Sequence, residues 1–169
     1  MKTAIGSGML AVLMLMGCVT QPPASSPVTG AADRTVYVTR HMQKQDGPDP
    51  SLSAEGAQAA DRLAELLKDR GISAIFATAT RRAMETAAPV ARRTGVRITG
   101  YDPGDPQALV TAAAASPGAV LVVGHSNTVH DLVARFGART PPAPLSEQDY
   151  GTVFVVSKTG NVDVVELGQ

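Results

Sequence analysis

Two of the chain's three histidines sit at the ends of short β-type runs, and arginines stand beside them. TVYVT, from Thr35, ends at Arg40-His41, and AVLVVG, from Ala119, ends at His125. A third run, ISAIFA, leads through Thr78-Ala79-Thr80 into Arg81-Arg82. Arginine offers a planar fork of donors that matches phosphate oxygens bidentately. Two such groups can neutralise a phosphoryl dianion and the charge that shifts onto its equatorial oxygens during transfer. Imidazole has a reference pKa of about 6.5, so a neutral histidine can attack phosphorus near neutral pH. The chemistry these residues suit is phosphoryl transfer to a histidine.

Ser126 supports a competing reading. Gly124-His125-Ser126-Asn127-Thr128 has the start of a G-x-S-x-G nucleophile elbow, which would make Ser126 the attacking group of an esterase. Thr128 stands where that elbow needs glycine. The only histidine after Ser126 is His130, one helical turn away on the same predicted helix, so no triad can be assembled from it. Metal ligation finds no support either: His125 and His130 are not at i, i+4 spacing, and no H-E-x-x-H or carboxylate constellation exists. No metal and no cofactor is expected.

The elements that must position these residues alternate along the chain. Ser53 reads as the N-cap of a helix whose apolar face is Ala57, Ala60, Leu63, Ala64 and Leu67, stopped by Gly71. Thr80 is the expected cap of a second helix running to Thr94, with Gly95 ending it and Pro89 kinking it. VRITGY is a weaker strand, and 107–115 a short alanine-rich helix. Asn127 then opens a helix with Val129, Leu132, Val133 and Phe136 on one face. TVFVVS and VDVVEL, joined by KTGN, form a hairpin. The fold class is therefore α/β: a mostly parallel sheet with helices on both faces and a C-terminal edge hairpin. In such sheets ligands bind beyond the carboxyl ends of the strands, where both histidines and the arginines emerge.

At these residues the chain resembles a known family. Thr39-Arg40-His41 after a first strand resembles the R-H-G signature of the histidine phosphatase superfamily, the phosphoglycerate mutase-like proteins, in its short bacterial branch 1 form. Arg82-Ala83-Met84-Glu85-Thr86-Ala87 is similar to that family's R-A-x-x-T-A, and Val123-Gly124-His125 to the strand that delivers the second histidine. The resemblance spans about residues 34 to 157, in the family's order. It implies that His41 is the phosphorylated nucleophile, that Arg40 and Arg82 clamp the phosphoryl group, and that His125 stabilises it. Asn127 becomes a candidate substrate contact or a helix cap. Glu85 is read as a helix-surface residue, and Lys44 and His130 as structural or solvated. Met42 replaces the glycine of R-H-G. The insertions that shape larger pockets in the family are missing, which implies an open site and disfavours a mutase. No general acid is identified; Asp102 and Asp105 stand in a plausible region.

Composition limits the partners. Fifteen basic and fifteen acidic side chains balance and there is no Trp, so neither a net field nor a stacking platform points to nucleic acid. Residues 1–17 read as a signal peptide: Lys2 is followed by a short apolar run ending in Leu15-Met16-Gly17-Cys18. This resembles the lipobox of bacterial lipoproteins, with Met16 where a small residue is usual, and implies lipidation of Cys18. Val19 in place of aspartate favours the outer membrane, with the domain facing the periplasm. Residues 18–32 form a Pro- and Ser-rich tether, and 33–169 the folded domain. The expected function is a metal-independent phosphatase acting through phosphohistidine on small phosphomonoesters or on a phosphohistidine protein. The alternatives are a phosphate-binding lipoprotein without turnover and the Ser126 esterase.

Overall fold

The computed structural model describes residues 34–168 and Met1. The signal segment, Cys18 and the tether fall outside the described residues. Among the described residues four strand–helix pairs are followed by two strands: β1 (Val36–Arg40), α1 (Ala54–Leu67), β2 (Ile72–Thr78), α2 (Arg81–Thr94), β3 (Ile98–Tyr101), α3 (Pro106–Ala114), β4 (Ala119–Gly124), α4 (Val129–Arg135), β5 (Thr152–Val156) and β6 (Val162–Glu166). They form one sheet in the order β3-β2-β4-β1-β5-β6. The first four strands in that order run parallel; β5 and β6 add antiparallel as the expected edge hairpin.

Hydrophobic patterning explains this order. AVLVVG is apolar throughout and every residue of β4 is buried, which suits a strand covered on both faces. Burying a Val or Leu side chain stabilises by about 1.5–3 kcal/mol, so β4 gains most at the sheet centre. Successive side chains then alternate between two cores. Tyr37, Ile75, Leu121 and Val123 pack with α1 and α2 on one face. Val38, Phe76, Val120 and Val122 pack with Leu109 of α3 and Val129, Leu132 and Val133 of α4 on the other.

That division locates the site. The chain leaves β1 and β2 toward helices on one face and leaves β4 toward α4 on the other. Loops therefore part at the carboxyl ends of β1, β4 and β2, and a crevice opens there. The backbone N–H of His41 donates to the Gly124 carbonyl at 3.0 Å, which locks the two histidine-bearing ends together.

Several local expectations need correction. The buried face of α1 is Gly56, Ala59, Ala60, Leu63, Ala64 and Leu67, and Ala57 is exposed. The shift follows from Gly56, which lies against the Gln43 backbone; a Cβ there would sit 2.0 Å from the Gln43 carbonyl oxygen. Ser53 caps α1 as expected, its hydroxyl accepting from Gly56 N–H. Thr80 occupies the N-cap position of α2 but makes no side-chain cap bond. Asn127 does not start α4; Thr128 is the N-cap residue and Asn127 lies in the preceding turn. α2 runs through Pro89, whose missing N–H leaves the Glu85 carbonyl without its helical donor.

Gly56→Ala should therefore destabilise the domain by about 1–3 kcal/mol, the usual cost of overpacking. Chemical denaturation reads this directly. A midpoint equal to that of the unsubstituted protein would show that Gln43 yields without cost.

Candidate active site

His41 is the first residue after β1, buried to 3 % exposure. Its Nδ1 lies 2.9 Å from the carbonyl oxygen of Met42. A carbonyl can only accept, so Nδ1 carries the proton and Nε2 keeps its lone pair. Met42, where R-H-G has glycine, is fully buried, and its N–H donates to Thr86 Oγ1 at 3.0 Å. The Thr86 hydroxyl in turn donates to the Arg82 carbonyl at 2.8 Å. Thr86 thus ties the backbone that follows the nucleophile candidate to the first turn of α2. This gives the threonine of R-A-x-x-T-A a physical role.

Three charged or titratable groups, Arg40, Arg82 and His125, act on His41. Burial lowers its pKa to about 4, opposed by the hydrogen bond to Met42 and reinforced by the positive fields of Arg40 and Arg82 and by His125. At neutral pH the ring is uncharged. His125 stands across from it, ring centroids 5.4 Å apart and planes at 66°. Burial, then Arg82 and Arg40, hold His125 below its ordinary value too. Its Nε2 lies 2.9 Å from Thr78 Oγ1, which reaches Thr80 Oγ1 at 3.1 Å. Thr80 spends its hydroxyl on this chain rather than on capping α2. The His125 N–H donates to Thr128 Oγ1 at 3.0 Å. Gly124 precedes His125 because a Cβ there would meet Thr128 Oγ1 at 2.9 Å and the Tyr101 hydroxyl at 3.1 Å.

The two arginines differ in surroundings. Arg40 is 2 % exposed and held by the loop before β5. One terminal nitrogen donates to the carbonyls of Ser146 at 2.9 Å and Asp149 at 3.3 Å; the other reaches Glu147 Oε2 at 3.1 Å and the Tyr150 hydroxyl at 3.2 Å. Its guanidinium also lies 4.0 Å from the centre of the Tyr150 ring. The second oxygen of Glu147 accepts from the Ser126 hydroxyl at 2.7 Å. That bond and Arg40 hold the Glu147 carboxyl below the usual carboxylate range. Arg82 is half-buried near both histidines, with Asp49 at 3.7 Å. Arg81 is exposed, and its side chain turns to Ser51 at 3.3 Å. The structure thus gathers His41, Arg40, Arg82 and His125, and separates Arg82 from Arg81 as the motif alignment expects.

Other expected residues fare differently. Asn127 is exposed in the turn after His125 and forms no cap. Ser126 is buried, but its hydroxyl donates to Glu147, and among the described residues no histidine hydrogen-bonds it. Glu85 is not a bare surface residue: its Oε2 accepts from the Leu52 N–H at 2.7 Å and anchors the loop that follows β1. Asp105 caps α3 through the Ala108 N–H at 3.0 Å, whereas Asp102 lines a cleft beside Arg82. Lys44 is exposed, and His130 lies on α4 with Nδ1 buried and unpartnered. Glu147, Tyr150 and Asp49 have no sequence motif to announce them, and Thr78, on the run that leads to Arg82, carries no role in the sequence reading. Among the described residues no three His, Cys, Asp or Glu side chains cluster to hold a metal ion. No helix there is long and apolar enough to cross a membrane.

This architecture has many counterparts among solved structures. SixA from Agrobacterium tumefaciens superposes with a TM-score of 0.62 at 21% identity, over 78% of this chain and 97% of that one. The protein histidine phosphatase SixA complexed with tungstate gives 0.59 at 19% identity, over 78% and 94%. Mycobacterial glucosyl-3-phosphoglycerate phosphatase gives 0.60 at 17%, over 79% and 96%. At these identities the likeness is one of fold. No curated protein matches the chain. Residues 34–102, which supply Arg40, His41 and Arg82 on one continuous stretch from β1 to β3, match the model of the histidine phosphatase superfamily (branch 1).

Proposed function

We propose that the chain is a metal-independent phosphatase that works through a phosphohistidine intermediate at His41. One observation carries this reading: His41 is a neutral imidazole whose Nδ1 proton is committed to the Met42 carbonyl, leaving Nε2 with its lone pair in the fields of Arg40 and Arg82 and across from His125. In the first step Nε2 attacks phosphorus, the N–P bond forms and the bond to the leaving group breaks. In the second, water attacks the phosphohistidine, releases inorganic phosphate and regenerates the imidazole. Arg40, Arg82 and His125 surround the place where negative charge concentrates on the equatorial oxygens, the arrangement that lowers such a barrier. Before substrate enters, the Glu147 carboxylate supplies the anion beside Arg40. An entering phosphoryl dianion shares or replaces it. Asn127, exposed beside His125, is available to the far end of a substrate. The resemblance to phosphatases of fold-related structure favours small phosphomonoesters or phosphohistidine as substrates.

The same reading includes a lipid anchor at Cys18 that holds the domain at the periplasmic side of a bacterial membrane, the outer one favoured by Val19. Cys18→Ser protein should stay unprocessed or leave the lipidated membrane fraction, and in either case should lack the acyl mass of the wild type. Wild-type protein free of acyl mass in a soluble fraction contradicts the anchor.

Substitutions at the rim separate this chemistry from its rival. His125→Ala should lower phosphatase kcat by on the order of a hundredfold, as expected when one transition-state donor is deleted. Ser126→Ala should stay within roughly tenfold, since it removes one hydrogen bond to Glu147. Arg82→Ala should cost far more than Arg81→Ala. A folded but inactive Ser126→Ala protein, labelled by fluorophosphonate before substitution, would hand the site to the esterase mechanism.

The pH dependence follows from burial. His41 in the folded chain titrates near 4, below the reference value of about 6.5. The unfolded state therefore binds the proton first, and stability falls as pH drops from the reference value toward the folded one. The reactive form is the neutral one and persists down to the same range. Histidine NMR titration of the free protein should show the His41 ring uncharged at pH 5.5. A midpoint at or above 6.5 contradicts the buried, arginine-flanked nucleophile.

A further inference from the structure

A cleft of about 750 Å³ opens beside the histidines, between the loop after β1, the β2–α2 turn and the loop after β3. Thr78 and Arg82 form part of its wall and belong to the phosphate-handling cluster. The remainder includes Pro48, Asp49, Ala79, Tyr101, Asp102 and Pro103. Any group attached to a phosphoryl moiety held by Arg82 has this cleft as its neighbouring space.

Charge and shape restrict what can fill it. Among the described residues Arg82 is the only cationic side chain lining the cleft, and bound phosphate claims that charge. Two carboxylates remain. Asp49 accepts from the Arg81 N–H at 3.0 Å and lies 3.7 Å from Arg82. Asp102 accepts from the Gly104 N–H at 2.8 Å and makes no ion pair among the described residues. Pro48, Pro103, Ala79 and Tyr101 add apolar and aromatic groups to the wall. Gly124 leaves room for the Tyr101 hydroxyl, which donates to the Val123 carbonyl at 3.5 Å. Burial raises that phenol to about 12, so the ring stays uncharged. An aromatic face favours a nearby cation, and two carboxylates repel an anion.

We propose that this cleft is the leaving-group subsite, and that it selects phosphorylated compounds whose leaving part is flat and neutral or cationic, against those bearing a carboxylate. The inference rests on the phosphatase reading for its role in turnover, but its charge preference is a binding property that can be measured separately. Two surface-level charge contacts, each worth a few-fold, together give a preference of about tenfold.

The test uses the full-length chain in detergent and two non-hydrolysable probes, 4-(aminomethyl)benzylphosphonate and 4-carboxybenzylphosphonate. Calorimetry should show the cationic probe binding about tenfold tighter, on the scale of two surface charge contacts. Asp102→Asn keeps an acceptor for the Gly104 N–H and removes the charge, so it should cut that ratio severalfold. Equal affinities, a tighter carboxylate probe, no binding of either, or a ratio unmoved in Asp102→Asn each overturn the subsite. Turnover of the matching aryl phosphates tests the phosphatase reading apart from this. Charge-selective phosphonate binding without any turnover sinks the phosphatase and leaves the subsite standing. Turnover of both esters with equal phosphonate affinities sinks the subsite alone.

Discussion

A buried guanidinium fixes the arrangement of this rim. Arg40 ends the central strand β1 and is 2 % exposed. An unpaired charge at that depth would cost several kcal/mol. The loop before β5 answers with two carbonyls, a carboxylate, a phenolic hydroxyl and an aromatic face. The demand of one side chain thus shapes residues 146–150, and through Glu147 it reaches Ser126 at the end of β4. The Arg40 Nε is buried without a partner. An entering phosphoryl group is the natural complement to a site that holds positive charge at such depth.

The neutral imidazole follows from where the fold places it. Burial, reinforced by the fields of Arg40 and Arg82, keeps a proton off His41, and the Met42 carbonyl decides which ring nitrogen bears the remaining one. Each device is backbone-anchored: β1 pairs with β4 through Gly124, and Thr86 joins the residue after His41 to α2. Preorganisation of this kind leaves little to be rearranged when charge develops on a transferring group. It also explains why Met42 can replace glycine here, since its side chain simply joins the core.

How much of this the sequence reveals depends on how local the cause is. Strand ends are local: apolar β-branched runs followed at once by His41 and His125 locate the rim, and the alternation of strands and helices gives the sheet. Gly95 is local as well, ending α2 with a φ of 74°. The loop before β5 is not. Glu147 lies more than a hundred residues from Arg40 in an irregular segment with no periodicity, and only the folded sheet brings the two together. The roles of Glu85 and Gly56 escape the sequence for the same reason. Their partners, Leu52 N–H and the Gln43 carbonyl, belong to the loop after β1, where pattern carries no contact information. Asn127 and Thr80 were assigned caps by residue type, but neither makes a side-chain cap bond, and at Thr80 the polar chain to His125 takes the hydroxyl instead.

The central claim is that phosphorus becomes bonded to His41. Rapid acid-free quenching during turnover of a radiolabelled phosphomonoester, followed by peptide mass spectrometry, tests it most directly. The account predicts a base-stable, acid-labile phosphoryl group on His41 that forms and decays at the rate of turnover and is missing from His41→Ala protein. Label on Ser126, or steady turnover with no protein-bound phosphate at any time, would contradict it.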